Sequence, residues 1–213
     1  GSARMRGRDF RQMAAAFLYN LTGDRKWEDL MVEESMIKSP ASPLFSKDFR
    51  SSFYQIWAAA AYLICPQERH YPEFYANVKA SINAQADENN VNHMFTRPSR
   101  RTANDPRWQV SENLQLVMMA HYIAESPERK ALLEKAMYME AGWGLGRNPS
   151  NMVEMTGLGE RHIENCYTTG RNDGVPGVHP GQTPFNGTET WSPGHNGGDA
   201  SFVLALCYPK WDT

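Results

Sequence analysis

Apolar residues recur at helical spacing along the first two-thirds of the chain. From Asp9 to Leu21 the positions Phe10, Met13, Ala14, Phe17, Leu18 and Leu21 follow the i, i+3, i+4 rule of an amphipathic helix. Gly23 follows as a C-terminal stop, and Trp27 to Met36 predicts a shorter returning helix. The connection Ser39-Pro-Ala-Ser-Pro43 breaks the pattern. Phe49 to Cys65 predicts a strongly apolar helix ended by Pro66, and Tyr71 to Ala86 returns with Phe74, Tyr75, Val78 and Ile82 on one face. An irregular polar stretch runs from Asp87 to Pro106. Trp108 to Ala124 predicts a further helix, and Ser126-Pro127-Glu128 is a start signal for the next, Pro127 to about Glu140. No strand alternation competes, so the expected class is all-α. Connections within each predicted hairpin are short and those between hairpins are longer. That order fits hairpins set around an axis, and equally an α-solenoid.

From Gly142 to Gly198 the periodicity stops. This stretch holds 13 of the 16 glycines and three of the six histidines. It is far longer than the roughly 12–15 residues beyond which structureless loops become uncommon. Trp143, Tyr167, Phe185 and Trp191 among its Gly/Asn turns argue for an ordered, site-building loop. The organisation expected is one helical domain or part of a larger one: hairpins over 1–145, an active-site-type loop over 146–198 and a closing helix over 199–213.

Composition removes several classes of function. A formal charge of −2 gives no electrostatic footprint for nucleic acid and no polybasic membrane patch. No apolar run approaches the roughly 20 residues of a membrane span. Cys65, Cys166 and Cys207 are odd in number and widely spaced, which fits neither a disulfide framework nor a zinc motif. Cys65 and Cys207 lie in apolar helical contexts and are expected to be buried thiols. The opening Gly-Ser resembles an expression scar, with no signal peptide after it. Asn20-Leu-Thr22 and Asn186-Gly-Thr188 match the glycosylation sequon, as short motifs do by chance.

The segment Gly144-Leu-Gly-Arg-Asn-Pro149, followed by Met155-Thr-Gly-Leu-Gly159, resembles family nine glycoside hydrolases. There a late barrel helix runs into a Leu-Gly-Arg-Asn-Pro turn and a Thr-Gly-x-Gly loop. Asn186-Gly-Thr-Glu189, His195-Asn-Gly-Gly198 and the small-residue helix from Asp199 to Leu206 follow in the family's order. The resemblance implies an (α/α)6 barrel, a carbohydrate partner, hydrolysis of a poly- or oligosaccharide, a secreted or periplasmic setting and no cofactor. Carried over by position, Glu189 is the proton donor. Two departures qualify it. The Asp-Ala-Gly-Asp motif that supplies the family's catalytic base is absent from these 213 residues. Six or seven helices are also about half of the twelve a barrel needs, so the expectation is the C-terminal half of a larger enzyme. The missing half of the same protein, or a second copy of the chain, would complete it. The family's His-His-Arg substrate motif is replaced by Glu160-Arg-His-Ile-Glu-Asn-Cys166, which points away from cellulose.

The residue chemistry sharpens these expectations. Glycoside cleavage uses one carboxylic acid on the leaving oxygen and one carboxylate on the opposite face. Glu189 beside Trp191 has an aromatic wall that disfavours its charged form; the plainer reading is a solvated loop glutamate. Asp173, before Gly174, reads as a turn former, and Asp199 as a helix cap, so neither replaces the missing base. Trp191 suits stacking on a pyranose, or pinning the loop. His162, His195 and Asn196 suit contacts to sugar hydroxyls. His162, His179 and His195 match no compact metal-ligand spacing. Arg147-Asn148-Pro149 is expected to shape a turn, and Arg97, Arg100 and Arg101 to form a solvated basic loop or contact an acidic sugar. A non-catalytic carbohydrate-binding or protein-interaction module is the competing reading of the whole chain.

Overall fold

The computed structural model describes residues 5–46, 52–95, 114–148, 151–162 and 180–181. Two units divide the chain: Gly1–Glu88 with Leu116–Leu133, and Asn89–Gln115 with Glu134–Thr213.

The first unit opens with α1 (Gly7–Thr22), whose N3 residue Asp9 accepts from the Arg6 backbone N–H at 2.8 Å. Gly23 closes the helix with φ +66, in the left-handed region, and its N–H donates to Tyr19 O at 2.9 Å. A Cβ there would also stand 2.9 Å from Gln67 Oε1 and displace that amide, but it is the backbone conformation that requires glycine. Asp24 caps α2 (Arg25–Glu34), accepting from Lys26 N at 3.1 Å.

The expected helix over Phe49–Cys65 needs correction. Its first part is a strand: β1 (Phe45–Ser46) pairs antiparallel with β2 (Phe53–Tyr54), Phe45 opposite Tyr54 and Ser46 opposite Phe53. Gln55 N then donates to Leu44 O at 2.8 Å, so helical bonding starts only afterwards, in α3 (Ile56–Leu63). The cause is tertiary. Asp9 accepts from Tyr54 N at 3.1 Å and from Gln55 Nε2 at 3.0 Å, holding β2 extended across the start of α1. The all-α class stands, with this small hairpin as its local exception.

Pro72 at the first helical position opens α4 (Pro72–Asn89), a 3₁₀ turn spans Val91–His93, and α5 covers Gln115–Ile123. Residues 96–113, which include the three arginines and the start of the expected Trp108 helix, lie outside the described residues. Ser126 accepts from Arg129 N at 3.1 Å and Pro127 begins α6 (Pro127–Gly144), which runs past the expected end at Glu140. Arg129 ties this start to α4 through Asp87 at 2.7 Å and Asn83 at 3.3 Å.

The core of the first unit joins Ala15, Ala16 and Tyr19 of α1, Met31 of α2, and Ala58, Ala61 and Tyr62 of α3, with Cys65 beside them as the expected buried thiol. Alanines on both α1 and α3 let the two helices approach closely. Each large side chain buried here contributes about 1.5–3 kcal/mol. The α4 face is as expected, with Val78, Ile82 and Ala86 buried. The α1 face is not. Asp9, Gln12, Ala15, Ala16 and Tyr19 point inward, while Phe10, Phe17 and Leu21 are 53%, 50% and 80% exposed. Asn20 is engaged too: its Nδ2 donates to Ala16 O at 3.2 Å and Ala61 O at 2.6 Å, which removes it as a glycan acceptor.

Candidate functional site

The glycine-rich region begins in the second unit, where α6 ends at Trp143-Gly144. Arg147 and Asn148 build the turn. Arg147 Nη2 donates to Met139 O at 3.0 Å and to Met94 O at 3.3 Å, placing a cation at the carbonyl end of α6, where the helix dipole favours it. Gly142 packs beside this side chain, where a Cβ would stand in ordinary contact with Arg147 at 3.7 Å. Asn148 Nδ2 donates to Trp143 O at 2.7 Å and Met152 O at 2.8 Å, and its Oδ1 accepts from Met152 N at 3.3 Å. The structural role expected for Arg147 and Asn148 is what the turn displays. Pro149 lies outside the described residues.

After the turn the chain crosses back on itself. Val153 bridges Leu145 on one side and His162 on the other, with Val153 N donating to Arg161 O at 2.9 Å and Glu154 N to Gly144 O at 2.8 Å. Gly181 N donates to Thr156 O at 2.7 Å. This framework buries Glu140 and Glu154 to 1% exposure, with Thr156 and Trp143 also buried. Two inaccessible carboxyl groups in one unit were not anticipated from sequence. The available signal was an acid flanked by apolar neighbours, Met139-Glu140-Ala141 and Val153-Glu154-Met155.

Of the site residues expected from sequence, His162 is described. Its Nδ1 accepts from Gly157 N at 3.4 Å, a bond that assigns the ring proton to Nε2 in the neutral form. Glu189, Trp191, His195 and Asn196 lie outside the described residues, as do Asp173, His179, Asp199, Cys166 and Cys207. Among the described residues no group of three His, Cys, Asp or Glu side chains is placed to hold a metal ion, and no helix is long and apolar enough to cross a membrane.

The first unit holds a second polar cluster that sequence reasoning missed. Glu28 on α2 is fully buried. It accepts from Tyr62 Oη at 2.6 Å, from the His70 backbone N–H at 3.2 Å to each oxygen, and from His70 Nδ1 at 2.7 Å. Tyr19 Oη donates to Glu68 O and lies 3.4 Å from His70 Nδ1. Burial, reinforced by the Glu28 charge, pushes the Tyr19 hydroxyl up to about 12; burial and the bond to Glu28 push Tyr62 higher still. Arg69 packs its guanidinium over the Tyr75 ring at 4.3 Å.

No curated protein and no solved structure matches the chain significantly. The family model for glycosyl hydrolase family 9 matches residues 4–183, which takes in every described helix and the Leu145–Asn148 turn. That match spans most of the sequence, and the helical architecture agrees with the family's (α/α)6 barrel: the chain belongs to glycoside hydrolase family 9.

Proposed function

We propose that the chain is the C-terminal part of a catalytic domain that hydrolyses O-glycosidic bonds of a non-cellulosic poly- or oligosaccharide. In this reading residues 1–145 supply hairpins, 146–198 the active-site loop and 199–213 a closing helix. The observation that carries it is the family match over residues 4–183, within which α6 runs into the braced Leu145–Asn148 turn.

Glu189, six residues beyond the matched span, is the proton donor. A carboxyl group beside Trp191 is held in its protonated form by the apolar neighbour, and so can protonate the leaving oxygen. Trp191 stacks on a sugar ring. His195 and Asn196 bond hydroxyls, and His162 contributes Nε2 as a donor. The base is supplied from outside these 213 residues, because neither Asp173 nor Asp199 occurs in a setting that suits it. An inverting reaction requires it roughly 6.5–9.5 Å from the acid, with water between. The replacement of His-His-Arg by Glu160–Cys166 supports a substrate other than cellulose.

In the complete enzyme, Glu189→Gln keeps the side-chain volume and removes the proton. Release of reducing ends is expected to be abolished, and near-normal turnover removes Glu189 from the acid role. Comparable cleavage of cellulose and of other polysaccharides sinks the substrate reading. The absent Asp-Ala-Gly-Asp motif favours a second reading, a binding module without catalysis. Saccharide binding with no reducing-end release from the complete protein would select it.

A further inference from the structure

The buried Glu28 is unused by that mechanism, and it lies behind a pocket. A cavity of about 420 Å³ opens in the first unit where the end of α2 and the chain after it meet the start of α4. This volume is within the roughly 300–1,000 Å³ range of small-molecule sites. Val32, Pro72 and Phe74 give it an apolar lining, and Lys38, Glu73 and Asn77 bring polar groups to the same wall. Tyr71 also lines it, but its hydroxyl is committed to Asp29 at 2.7 Å.

His70 completes the wall, and its ring is fixed from behind. A fully buried carboxylate is costly unless it is bonded, and Glu28 directs two of its bonds to His70, one to the backbone and one to Nδ1. Nδ1 is thereby the donor to Glu28, and Nε2 is left on the outer edge of a ring that is 26% exposed. Glu68 Oε2 stands 3.8 Å from Nε2, within reach of an ion pair but beyond hydrogen-bond range.

We propose that this pocket is a second saccharide-binding site, taking one or two neutral pyranose units, with His70 Nε2 as a polar contact and Glu28 as the residue that positions it. The choice of ligand class follows from the lining. Lys38, whose Nζ gives one of its three protons to Val32 O at 3.4 Å, still donates, Glu73 accepts and Asn77 does both, which matches hydroxyls that also do both. Glu28 and Glu68 on the two sides of the His70 ring, with Glu73 in the lining, outnumber Lys38 and disfavour a phosphate or a uronate. Phe74 and Pro72 offer flat apolar surface to the C–H face of a sugar ring. That the ligand is a saccharide rests on the carbohydrate reading above. The site itself uses none of the residues assigned to hydrolysis.

The test is titration of the full chain with xylotetraose, mannotetraose, cellotetraose and chitotetraose, and with trigalacturonate as an anionic control. The readout is the NMR resonance of the His70 Cε1–H, which reports this pocket and no other site. At least one neutral tetraose is expected to shift that resonance saturably in the wild type and in Glu189→Gln alike. Lys38→Ala combined with Asn77→Ala should weaken the titration at least tenfold, with circular dichroism and Tm unchanged. An unmoved His70 resonance with every neutral sugar, wild-type affinity in the double variant, or tighter binding of trigalacturonate overturns the proposal. The two readings fail separately. Hydrolysis surviving in Glu189→Gln removes the acid assignment and leaves the pocket result intact. A silent His70 resonance removes the pocket and leaves hydrolysis untouched.

Discussion

Glu28 is the most consequential single side chain among the described residues, and truncating it tests the account of the core. Glu28→Ala removes the acceptor for Tyr62 Oη, the His70 backbone N–H and His70 Nδ1, all at 3.2 Å or less. Hydrogen bonds to a charged acceptor contribute about 1.5–3 kcal/mol each, and a buried donor left without a partner costs about 1–3 kcal/mol. His70 is partly exposed, and water can replace part of its loss. Tyr62 is buried, and water cannot reach it. A destabilisation of about 4 kcal/mol is therefore expected, which for a chain of this size lowers Tm by roughly 8–16 °C. Tyr62→Phe removes one charge-assisted bond and should cost about 1.5–2 kcal/mol. Because Tyr62 loses its partner in either variant, the double variant should be more stable than the sum by at least about 1 kcal/mol. Thermal unfolding followed by circular dichroism measures all four proteins. A Tm loss below about 3 °C in Glu28→Ala, or strict additivity in the cycle, would show that the carboxylate is solvated and that the network does not hold α2 to α3.

Two further outcomes follow from the geometry. Tyr19 ionises at about 12 when folded and near 10 when unfolded, so the folded state holds its proton more tightly; the stability this contributes is complete below pH 10 and disappears as pH rises through 12. Absorbance at 295 nm and circular dichroism recorded together should show the last tyrosines ionising only as the chain unfolds, and full ionisation of a still-native chain near pH 10 would contradict the burial of Tyr19 and Tyr62. Asn148→Ala deletes three bonds across the turn after α6, a loss of roughly 2–3 kcal/mol. It should speed hydrogen exchange at the Met152 and Glu154 amides, and unchanged protection there would refute the clamp.

Helix ends were the legible part of the sequence. Gly23 and Ser126-Pro127 each act through backbone geometry within a few residues, and each element begins or ends where they direct. The Asn148 turn was legible for the same reason, since its bonds reach only from Trp143 to Met152. Features that depend on distant partners were not legible. The hairpin at Phe53-Tyr54 exists because Asp9, some 45 residues away, accepts from Tyr54 N. Glu28, Glu140 and Glu154 are ordinary acids in the sequence, and their burial is decided by what packs around them. For the candidate catalytic Glu189 and the substrate-binding Trp191, His162, His195 and Asn196, motif supplied residue identities, while the described geometry reaches His162 alone.

The α1 stripe shows why a correct period can still select the wrong face. Phe10, Phe17 and Leu21 are spaced by seven and four, which places them on one side of the helix; Gln12, Ala16 and Tyr19 lie on the opposite side. Both sides are apolar enough to be buried, but only the small-residue side meets the local core. The same duplication recurs on α3 and α5, and α6 also exposes Tyr138. α3 buries Ala58, Ala61 and Tyr62 while exposing Trp57, and α5 buries Leu116, Val117 and Ala120 while exposing Met118 and Tyr122. α4, between them, shows no such second face: among its residues the buried ones are Val78, Ser81, Ile82, Gln85 and Ala86, and no large hydrophobic is exposed. A helix that needs only one neighbour has no physical reason to carry two apolar faces. In an (α/α)6 barrel the inner helices have two, one against the outer layer and one toward the barrel interior. The stripe on α1 was therefore a correct reading of the period on the apolar face that the core of the first unit does not use.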